Sequence, residues 1–303
     1  MFQAINKDVK GASTSVHVPG SEIKVGYEIK GVDISKPLSD SEFQENIFLP
    51  IVQNSVVAVR GQNLTVEQFI DFGRRFGKLE KHVISPNVLD GHPEVMHLSN
   101  IKKNNKNIGR PNPGAFWHTD LTFTNTPNDY SLLYSIEIPH DKNGMPRGDT
   151  CFRSTISAYE TLPKTLKRKL TGISAKHFHL WIRRRYGDEE GIELSEVQRA
   201  RMIDVLHPVI CQQPETGRKY LFVNSAHTVG IQGMSEEESD ALLNDVYEHI
   251  ASQETYTHKW RVGDIVIWDN KATQHYATKD YEYPMRRHLW RLTVEGGAPH
   301  AAD

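Results

Sequence analysis

The sequence lacks several features that mark specialised classes of protein. Its 303 residues include only two cysteines, Cys151 and Cys211, which excludes a disulfide scaffold and a cysteine-rich zinc module. No apolar run approaches the roughly 18 residues that a membrane-spanning helix requires. The start of the chain has no apolar stretch of the signal-peptide type. The sequence therefore predicts a cytoplasmic protein without a membrane partner.

A surplus of basic charge is also absent. The chain carries 36 Lys and Arg against 38 Asp and Glu, and its net charge of −2 argues against a nucleic-acid partner. It contains neither an internal repeat nor a low-complexity tract long enough to act as a linker. We therefore expect residues 1–303 to form a single domain, which is long enough to bury a substantial core.

Histidine, by contrast, is abundant, with 15 residues. A neutral imidazole suits metal binding or proton transfer. Two histidines and one carboxylate form a common metal site, in which two of the three ligands can come from a His-x-acid pair. About two such pairs are expected by chance in this composition, and two occur. The count alone therefore identifies no site.

The two His-x-acid pairs differ in their sequence context. The first, His92 and Glu94, encloses a proline and follows Asp-Gly, which predicts a turn. The second, His118 and Asp120, stands among aromatic and β-branched residues, which predicts a half-buried strand. On a strand both side chains would face the same side. From this pair alone, a metal site and a structural polar pair remain equally open.

The remaining pattern predicts short strands early and late in the chain, with helices between them. Capping boxes at Thr65 and Ser235 predict two helix starts, and residues 33–53 carry helical signals with Asp40 or Ser41 as the cap. Strands are predicted at residues 55–60, 220–223, 264–269 and 288–294.

One segment is predicted to be a loop. Residues 100–114, NIKKNNKNIGRPNPG, have almost no apolar content, so burial cannot order them. The segment ends immediately before the region of His118 and Asp120. Residues 100–114 are therefore a candidate lid, with a plain surface loop as the alternative.

Five separate sequence motifs resemble those of a known family. They are, in chain order, FWHTDLTF, GDTCF, GRKYLFVN, IWDNKATQHYATKDY and MRRHLWRLTVEG. Together they resemble the taurine / 2,4-dichlorophenoxyacetate dioxygenase family of Fe(II)- and 2-oxoglutarate-dependent oxygenases. The resemblance implies a mainly β fold with helical insertions around a double-stranded β-helix (jelly roll) core.

The resemblance also implies the cofactors, which are Fe(II), with 2-oxoglutarate and O2 as cosubstrates. By position in the motifs, His118, Asp120 and His275 would bind iron, and these three would also be the catalytic residues. Thr150 and Arg287 would hold the remote carboxylate of 2-oxoglutarate, for which a planar guanidinium is well suited. This chain carries one more residue between His275 and the arginine than the taurine enzymes do, so Arg286 is the alternative to Arg287.

Further matches concern the primary substrate, expected to be a small acid. Arg291 and His82 match residues that bind its acidic group, and Arg291 would share one strand face with Arg287, four residues earlier. His179 and His227 stand where taurine enzymes have pocket phenylalanines. Imidazoles in place of apolar walls favour a larger or more polar carboxylate or sulfonate. We therefore predict that taurine is not the substrate.

The expected reaction is oxidation of an unactivated C–H bond of that acid. Desaturation and oxidative cleavage of a C–heteroatom bond use the same ligands, so both remain open. A cosubstrate-independent jelly-roll metalloenzyme is a further alternative, but it would need no Thr150 and Arg287 clamp. A metal-free binding module would not need His118, Asp120 and His275. Relatives are often dimers or tetramers, so a homo-oligomer is also possible.

Overall fold

The computed structural model describes residues 16–17, 24–81, 87–104, 106–109, 114–178 and 205–302. The strands in these ranges are β1 (Val16–His17), β2 (Lys24–Val25), β3 (Tyr27–Ile29), β4 (Val56–Val59), β5 (Val88–Leu89), β6 (His92–Ser99), β7 (Lys102–Lys103), β8 (Lys106–Asn107), β9 (Tyr130–Glu137), β10 (Thr150–Ser154), β11 (Ser174–His177), β12 (Val205–Pro208), β13 (Ile210–Gln212), β14 (Lys219–Leu221), β15 (Thr228–Ile231), β16 (Tyr256–His258), β17 (Ile265–Asp269), β18 (Thr273–Ala277) and β19 (His288–Thr293). The helices are α1 (Asp40–Phe43), α2 (Leu49–Asn54), α3 (Val66–Arg74), α4 (Thr155–Thr161), α5 (Lys164–Leu170) and α6 (Glu236–Ala251), and a π-helical turn (Gln44–Phe48) joins α1 to α2.

Two facing sheets form the centre of the fold. The larger has seven strands in the order β3-β4-β17-β9-β19-β6-β5, and the smaller has three in the order β16-β10-β18. Apart from the parallel pair β3-β4, neighbouring strands in both sheets are antiparallel. Phe152 of the smaller sheet packs against Trp268 of the larger, with ring centroids 5.4 Å apart. The predicted mainly β, jelly-roll core with helical insertions is confirmed.

Strand β17 shows how the larger sheet is covered on both faces. Val266 and Trp268 pack toward the smaller sheet, whereas Ile265 and Ile267 pack toward the aromatic side chains of α1 and α3. Side chains alternate along a strand, so a strand that is covered on both sides must be apolar at every position. All five residues of β17 are buried. The continuous apolar run in the sequence therefore reflects a central strand.

The predicted helix starts are mostly confirmed. Thr65 and Ser235 cap α3 and α6 with complete capping boxes. The predicted cap at Asp40 or Ser41 is wrong, because α1 is capped by Ser39, whose backbone N–H donates to the Glu42 carboxylate at 2.8 Å. Within the described ranges, no helix combines the length and apolarity needed to cross a bilayer.

Two segments differ from the sequence prediction. The turn predicted at His92–Glu94 is wrong, because β6 begins at His92 and accommodates its proline at the second position, beside an irregularity in the pairing with β5. The described part of residues 100–114 is more ordered than a loop, since β7 and β8 pair as a short, solvent-exposed hairpin. Cross-strand hydrogen bonds order this hairpin without burial. Whether it acts as a lid stays a prediction.

Many of the histidines belong to the core rather than to a site. His177 and His258 are at most 1% exposed. Burial, reinforced by the neighbouring His207, lowers the pKa of His177 to about 3. Burial, reinforced by His97, lowers the pKa of His288 to about 4. These imidazoles are therefore neutral in the folded chain at neutral pH.

Neutral buried histidines make stability depend on pH. Their pKa values are lower in the folded chain than the ordinary 6.5, so their contribution is complete above pH 6.5 and is lost as the pH falls toward the folded values. Each such group adds a slope of up to about 1.4 kcal/mol per pH unit to the free energy of unfolding. In His177→Leu we therefore expect the free energy of unfolding, measured with urea, to depend less steeply on pH. Between about pH 6.5 and pH 4.5 the slope should be smaller than in the wild type by up to about 1.4 kcal/mol per pH unit. The same slope in the variant as in the wild type would contradict this, and His140→Gln, at an exposed histidine, is the matched control.

Candidate active site

The side chains of His118 and Asp120 meet that of His275, more than 150 residues later in the chain, between the two sheets. The backbones of His118 and His275 exchange two hydrogen bonds, of 3.0 and 2.8 Å, which place the rings side by side with centroids 4.1 Å apart. Nε2 of His118 lies 3.5 Å from Oδ1 of Asp120, and Nε2 of His275 lies 3.6 Å from Oδ2. All three side chains are buried, and one ligand atom from each lies within 4.8 Å of the others. Two imidazoles and one carboxylate thus converge on one point.

The local structure that brings His118 and Asp120 together differs from the predicted strand. Only His118 forms a β-bridge, and Asp120 lies in a turn that continues through Leu121, whose φ is +54°. The side chain of Asn270 holds this turn instead. Its Oδ1 accepts a hydrogen bond from the Asp120 backbone N–H at 3.0 Å, and its Nδ2 donates to the Asp120 carbonyl at 3.0 Å. The strand prediction was wrong because a side-chain amide replaces the partner strand.

The protonation states of the three side chains fit a divalent cation. Nδ1 of His118 donates to the Phe116 carbonyl at 2.8 Å, so Nε2 is the ring nitrogen that faces Asp120. Burial, with His118 alongside, holds the pKa of His275 well below its usual range, so the His275 ring is neutral. Burial alone would raise the pKa of Asp120, but the guanidinium of Arg291 beside it holds that pKa well below its usual range. Two imidazole nitrogens and a carboxylate are a donor set for iron.

Arg291, on β19 of the larger sheet, reaches across to this cluster. Its Nη2 donates to Oδ2 of Asp120 at 2.7 Å and to the Ser131 hydroxyl at 3.3 Å. Its Nε is buried and has no hydrogen-bond partner among the described residues. The cluster therefore carries a cation with unused donor capacity at its edge.

A second buried cation lies near Thr150. Arg287 is 3% exposed, and its Nη2 donates to the Gly148 carbonyl at 3.3 Å, two residues before Thr150. Its Nε is buried without a hydrogen-bond partner in the part of the chain that the structure describes. Gly148 has a φ of +77°, and a Cβ there would lie 2.9 Å from that Nε. A buried guanidinium with an unused donor fits a carboxylate.

The alternative arginine has a different environment. Arg286 has a side chain that is 53% exposed, and its Nε lies 3.2 Å from Glu137. Arg287 also does not share a regular strand with Arg291 as predicted, because β19 begins at His288 and its pairing with β9 is irregular between His288 and Leu289. The even spacing of the two arginines therefore says nothing about a shared face.

The other predicted pocket residues have mixed outcomes. His227 is 5% exposed and packs edge-on against Phe123, with ring centroids 4.9 Å apart, just beyond the turn at Asp120. His82 and His179 lie outside the described residues. Of these three, only His227 is placed by the structure, at the margin of the cluster.

Sequence reasoning missed three residues that build this site. Asn270 directly follows the apolar strand β17, Gly148 precedes Thr150, and Asn100 begins the hairpin segment. Asn100 accepts a hydrogen bond from the Arg287 backbone N–H at 2.9 Å, and its Nδ2 donates to the Met285 carbonyl at 2.8 Å. A polar residue that ends an apolar strand was the available signal for Asn270. Gly148 lies in the GDTCF motif and Asn100 begins the candidate lid, but nothing in the sequence indicated their contacts with Arg287, because that residue is distant in the chain.

The jelly-roll core, the His-Asp-His cluster, the buried Arg287 and the half-buried Arg291 define the class of non-haem metal oxygenases. The family model for the taurine catabolism dioxygenase TauD, TfdA family matches residues 17–293. The chain therefore belongs to this family, which confirms the resemblance seen in the sequence. It is an Fe(II)- and 2-oxoglutarate-dependent dioxygenase that uses O2.

Individual relatives share most of their length with this chain. A 2,4-dichlorophenoxyacetate dioxygenase of Cupriavidus pinatubonensis is 33% identical, covering 88% of this chain and 93% of its own. An alkylsulfatase of Acinetobacter baylyi is 32% identical, covering 90% and 83%. The crystal structure of a putative taurine dioxygenase from Burkholderia xenovorans has a TM-score of 0.75 at 30% identity, covering 93% of both chains. Family members thus act on several kinds of acid.

We expect Asn270→Ala to be far more destabilising than an ordinary amide truncation. It would leave the Asp120 N–H and the Asp120 and Asn128 carbonyls without these bonds, all of them buried. The expected loss of unfolding free energy is about 3–5 kcal/mol, against about 1 kcal/mol for Asn54→Ala. Asn54 is the matched control, since it is also buried but its side chain makes one hydrogen bond, to Pro50. Equal losses in urea unfolding would contradict this role of Asn270.

Proposed function

We propose that this dioxygenase oxidises a C–H bond of a small, acid-bearing substrate other than taurine. In this proposal His118, Asp120 and His275 hold Fe(II), Thr150 and Arg287 bind the remote carboxylate of 2-oxoglutarate, and the substrate acid binds Arg291. His82, His179 and His227 complete the substrate pocket. The metal, when bound with 2-oxoglutarate and O2, supplies the oxidising power for an unactivated C–H bond.

The position of Arg291 is the observation that carries the substrate class. Its guanidinium touches the carboxylate of a candidate metal ligand and retains a buried, unused Nε donor. Burying a cation with unused donors is costly unless a ligand completes it. An anionic group that binds there would hold the adjoining carbon near the metal ligands, where the substrate must react. A carboxylate or a sulfonate meets this requirement.

The burial of Arg287 supports its role over that of Arg286. A group that holds a carboxylate inside the fold has to be inside the fold itself, whereas Arg286 contacts Glu137 at the surface. The hairpin attached through Asn100 to the backbone of Arg287 supports a lid at residues 100–114, since closing over the substrate would keep water away from it.

The second candidate outcome is oxidative cleavage of a C–heteroatom bond. It uses the same residues, because it begins with oxidation at the carbon that bears the heteroatom. Relatives named for 2,4-dichlorophenoxyacetate and for alkyl sulfates favour this outcome over desaturation. The buried imidazole of His227, where taurine enzymes have an apolar wall, supports the exclusion of taurine.

A panel of carboxylates, sulfonates, sulfate esters and aryloxyacetates tests the substrate class. We expect succinate release to be stimulated by an acid of the panel and far less by taurine or by the corresponding neutral amides. Arg291→Gln should raise KM for the best acid by about tenfold or more, because a charge-assisted hydrogen bond is lost. Equal stimulation by the neutral amides, or by taurine, would contradict the proposal.

Two glycine variants in the same loop test whether Arg287 binds the remote carboxylate of 2-oxoglutarate. Gly148→Ala should weaken 2-oxoglutarate binding by about tenfold or more, because the added Cβ would displace Arg287 and cost its charge-assisted bonds. Gly144 is the matched control, since its φ of +74° imposes similar strain but no atom lies within 4 Å of its Cβ position. Binding is measured by anaerobic titration of the visible absorption of the Fe(II) chelate. Equal affinities in the two variants would argue against Arg287.

A further inference from the structure

On strand β10, Thr150 lies two residues from the position that pairs with the candidate metal ligand His275. It pairs with Ala277 on β18, whereas Phe152, two residues further along β10, pairs with His275. Both side chains are buried on the inner face of the smaller sheet. Two residues span about 7 Å along a strand. The distance along the sheet from Thr150 to the position of His275 is therefore similar to the length of a short dicarboxylate.

Trp260 determines how that hydroxyl can be used. The indole Nε1 of Trp260 donates to Oγ1 of Thr150 at 3.0 Å. An indole N–H is a donor only, so the Thr150 oxygen must be the acceptor. The hydroxyl proton then has to be donated to another group. No protein acceptor for it occurs among the residues that the structure describes.

Arg287 supplies a positive charge near Thr150 that an external acceptor could bind. The guanidinium of Arg287 lies against Gly148, two residues from Thr150, and cannot accept a proton. An anion held by Arg287 is thus the available acceptor for the Thr150 proton. Such an anion would receive donors from both sides.

The indole itself is held firmly. Trp260 is fully buried, and the ring of His258 packs edge-on against it with centroids 4.6 Å apart. Nε2 of His258 lies 3.1 Å from Asp264, whose carboxylate also pairs with Arg60. This charged network links the edge of the larger sheet to the indole. Trp260 therefore has little freedom to leave Thr150.

We propose that Trp260 is a positioning residue for 2-oxoglutarate: by donating to Thr150, it keeps the hydroxyl proton directed at the remote carboxylate of the cosubstrate. This inference rests on the proposed roles of Thr150 and Arg287. Without the indole N–H, the hydroxyl can rotate, and its proton loses its defined direction. A donor to Oγ1 also polarises the O–H and strengthens the bond that it donates.

The test compares two 2-oxo acids in anaerobic titrations of the Fe(II) protein. Both 2-oxoglutarate and 2-oxopentanoate chelate iron through the same atoms, but 2-oxopentanoate ends in a methyl group. Trp260→Phe should lower the affinity for 2-oxoglutarate by about tenfold and leave the affinity for 2-oxopentanoate unchanged, since only the hydrogen bond to the remote carboxylate is affected. Equal weakening of both acids would overturn the proposal, because it indicates general damage.

A double-mutant cycle separates positioning from packing. Thr150→Val should cost about as much 2-oxoglutarate affinity as Trp260→Phe, and the double variant should cost little more than either. Fully additive losses would overturn the proposal. Trp290→Phe is the matched control, since Nε1 of Trp290 is also buried but has no partner in the described ranges. This control should bind both acids like the wild type.

Failure of the proposed clamp gives a different result. If the wild-type protein does not bind 2-oxoglutarate more tightly than 2-oxopentanoate, the proposed roles of Thr150 and Arg287 are wrong. The proposed role of Trp260 is then wrong as well. If the preference exists and Thr150→Val removes it, but Trp260→Phe keeps it, only the Trp260 inference fails. The two hypotheses are therefore distinguished by the same titrations.

A spectroscopic measurement keeps the test valid should Trp260→Phe fail to fold. In the Zn(II)-loaded wild type, one of the five indole N–H resonances should move downfield when 2-oxoglutarate is added and stay in place with 2-oxopentanoate. Thr150→Val should abolish that response, because the acceptor of the indole is gone. A response that survives in Thr150→Val would overturn the proposal.

Discussion

The buried side chain of Asn270 is the contact on which the rest of the site depends. It follows β17 in the larger sheet and bonds both the N–H and the carbonyl of Asp120. Without it, the turn that carries Asp120 has no partner strand, because the bridge to β18 involves only His118. Because one amide satisfies several buried backbone groups at once, its geometry is tightly constrained. That constraint places the carboxylate between two imidazoles.

Electrostatic balance explains why the site favours anions. Burial keeps the His275 imidazole neutral and a backbone carbonyl orients that of His118, while Arg287 is buried and Arg291 is half-buried beside Asp120. Asp120 compensates Arg291, but among the described residues neither guanidinium group has a partner for its Nε donor. A buried donor without a partner costs free energy that a bound carboxylate recovers. Such donors are what the proposed binding of 2-oxoglutarate and of an acidic substrate would use.

The accuracy of the sequence predictions followed the range of the interactions involved. Capping boxes at Thr65 and Ser235 were correctly located, because all of their atoms lie within one turn. The strand β17 was recognisable because burial on both faces demands a continuous apolar run. The strand predicted for His118 and Asp120 was wrong, since Asn270, 150 residues later, supplies the partner. Likewise, the spacing of Arg287 and Arg291 could not reveal the irregular start of β19.

By itself, the sequence determined the class of fold, the family and the chemical types of ligand, since these depend on local periodicity and on motifs that keep their order along the chain. It singled out Thr150 and Arg287 only as members of those motifs. The tertiary structure decided which side chains hold them: Trp260 and Asn100 contact them from more than 100 residues away in the chain. Hydrogen bonds between such distant residues leave no periodic signal, because their geometry exists only after the sheets have packed together.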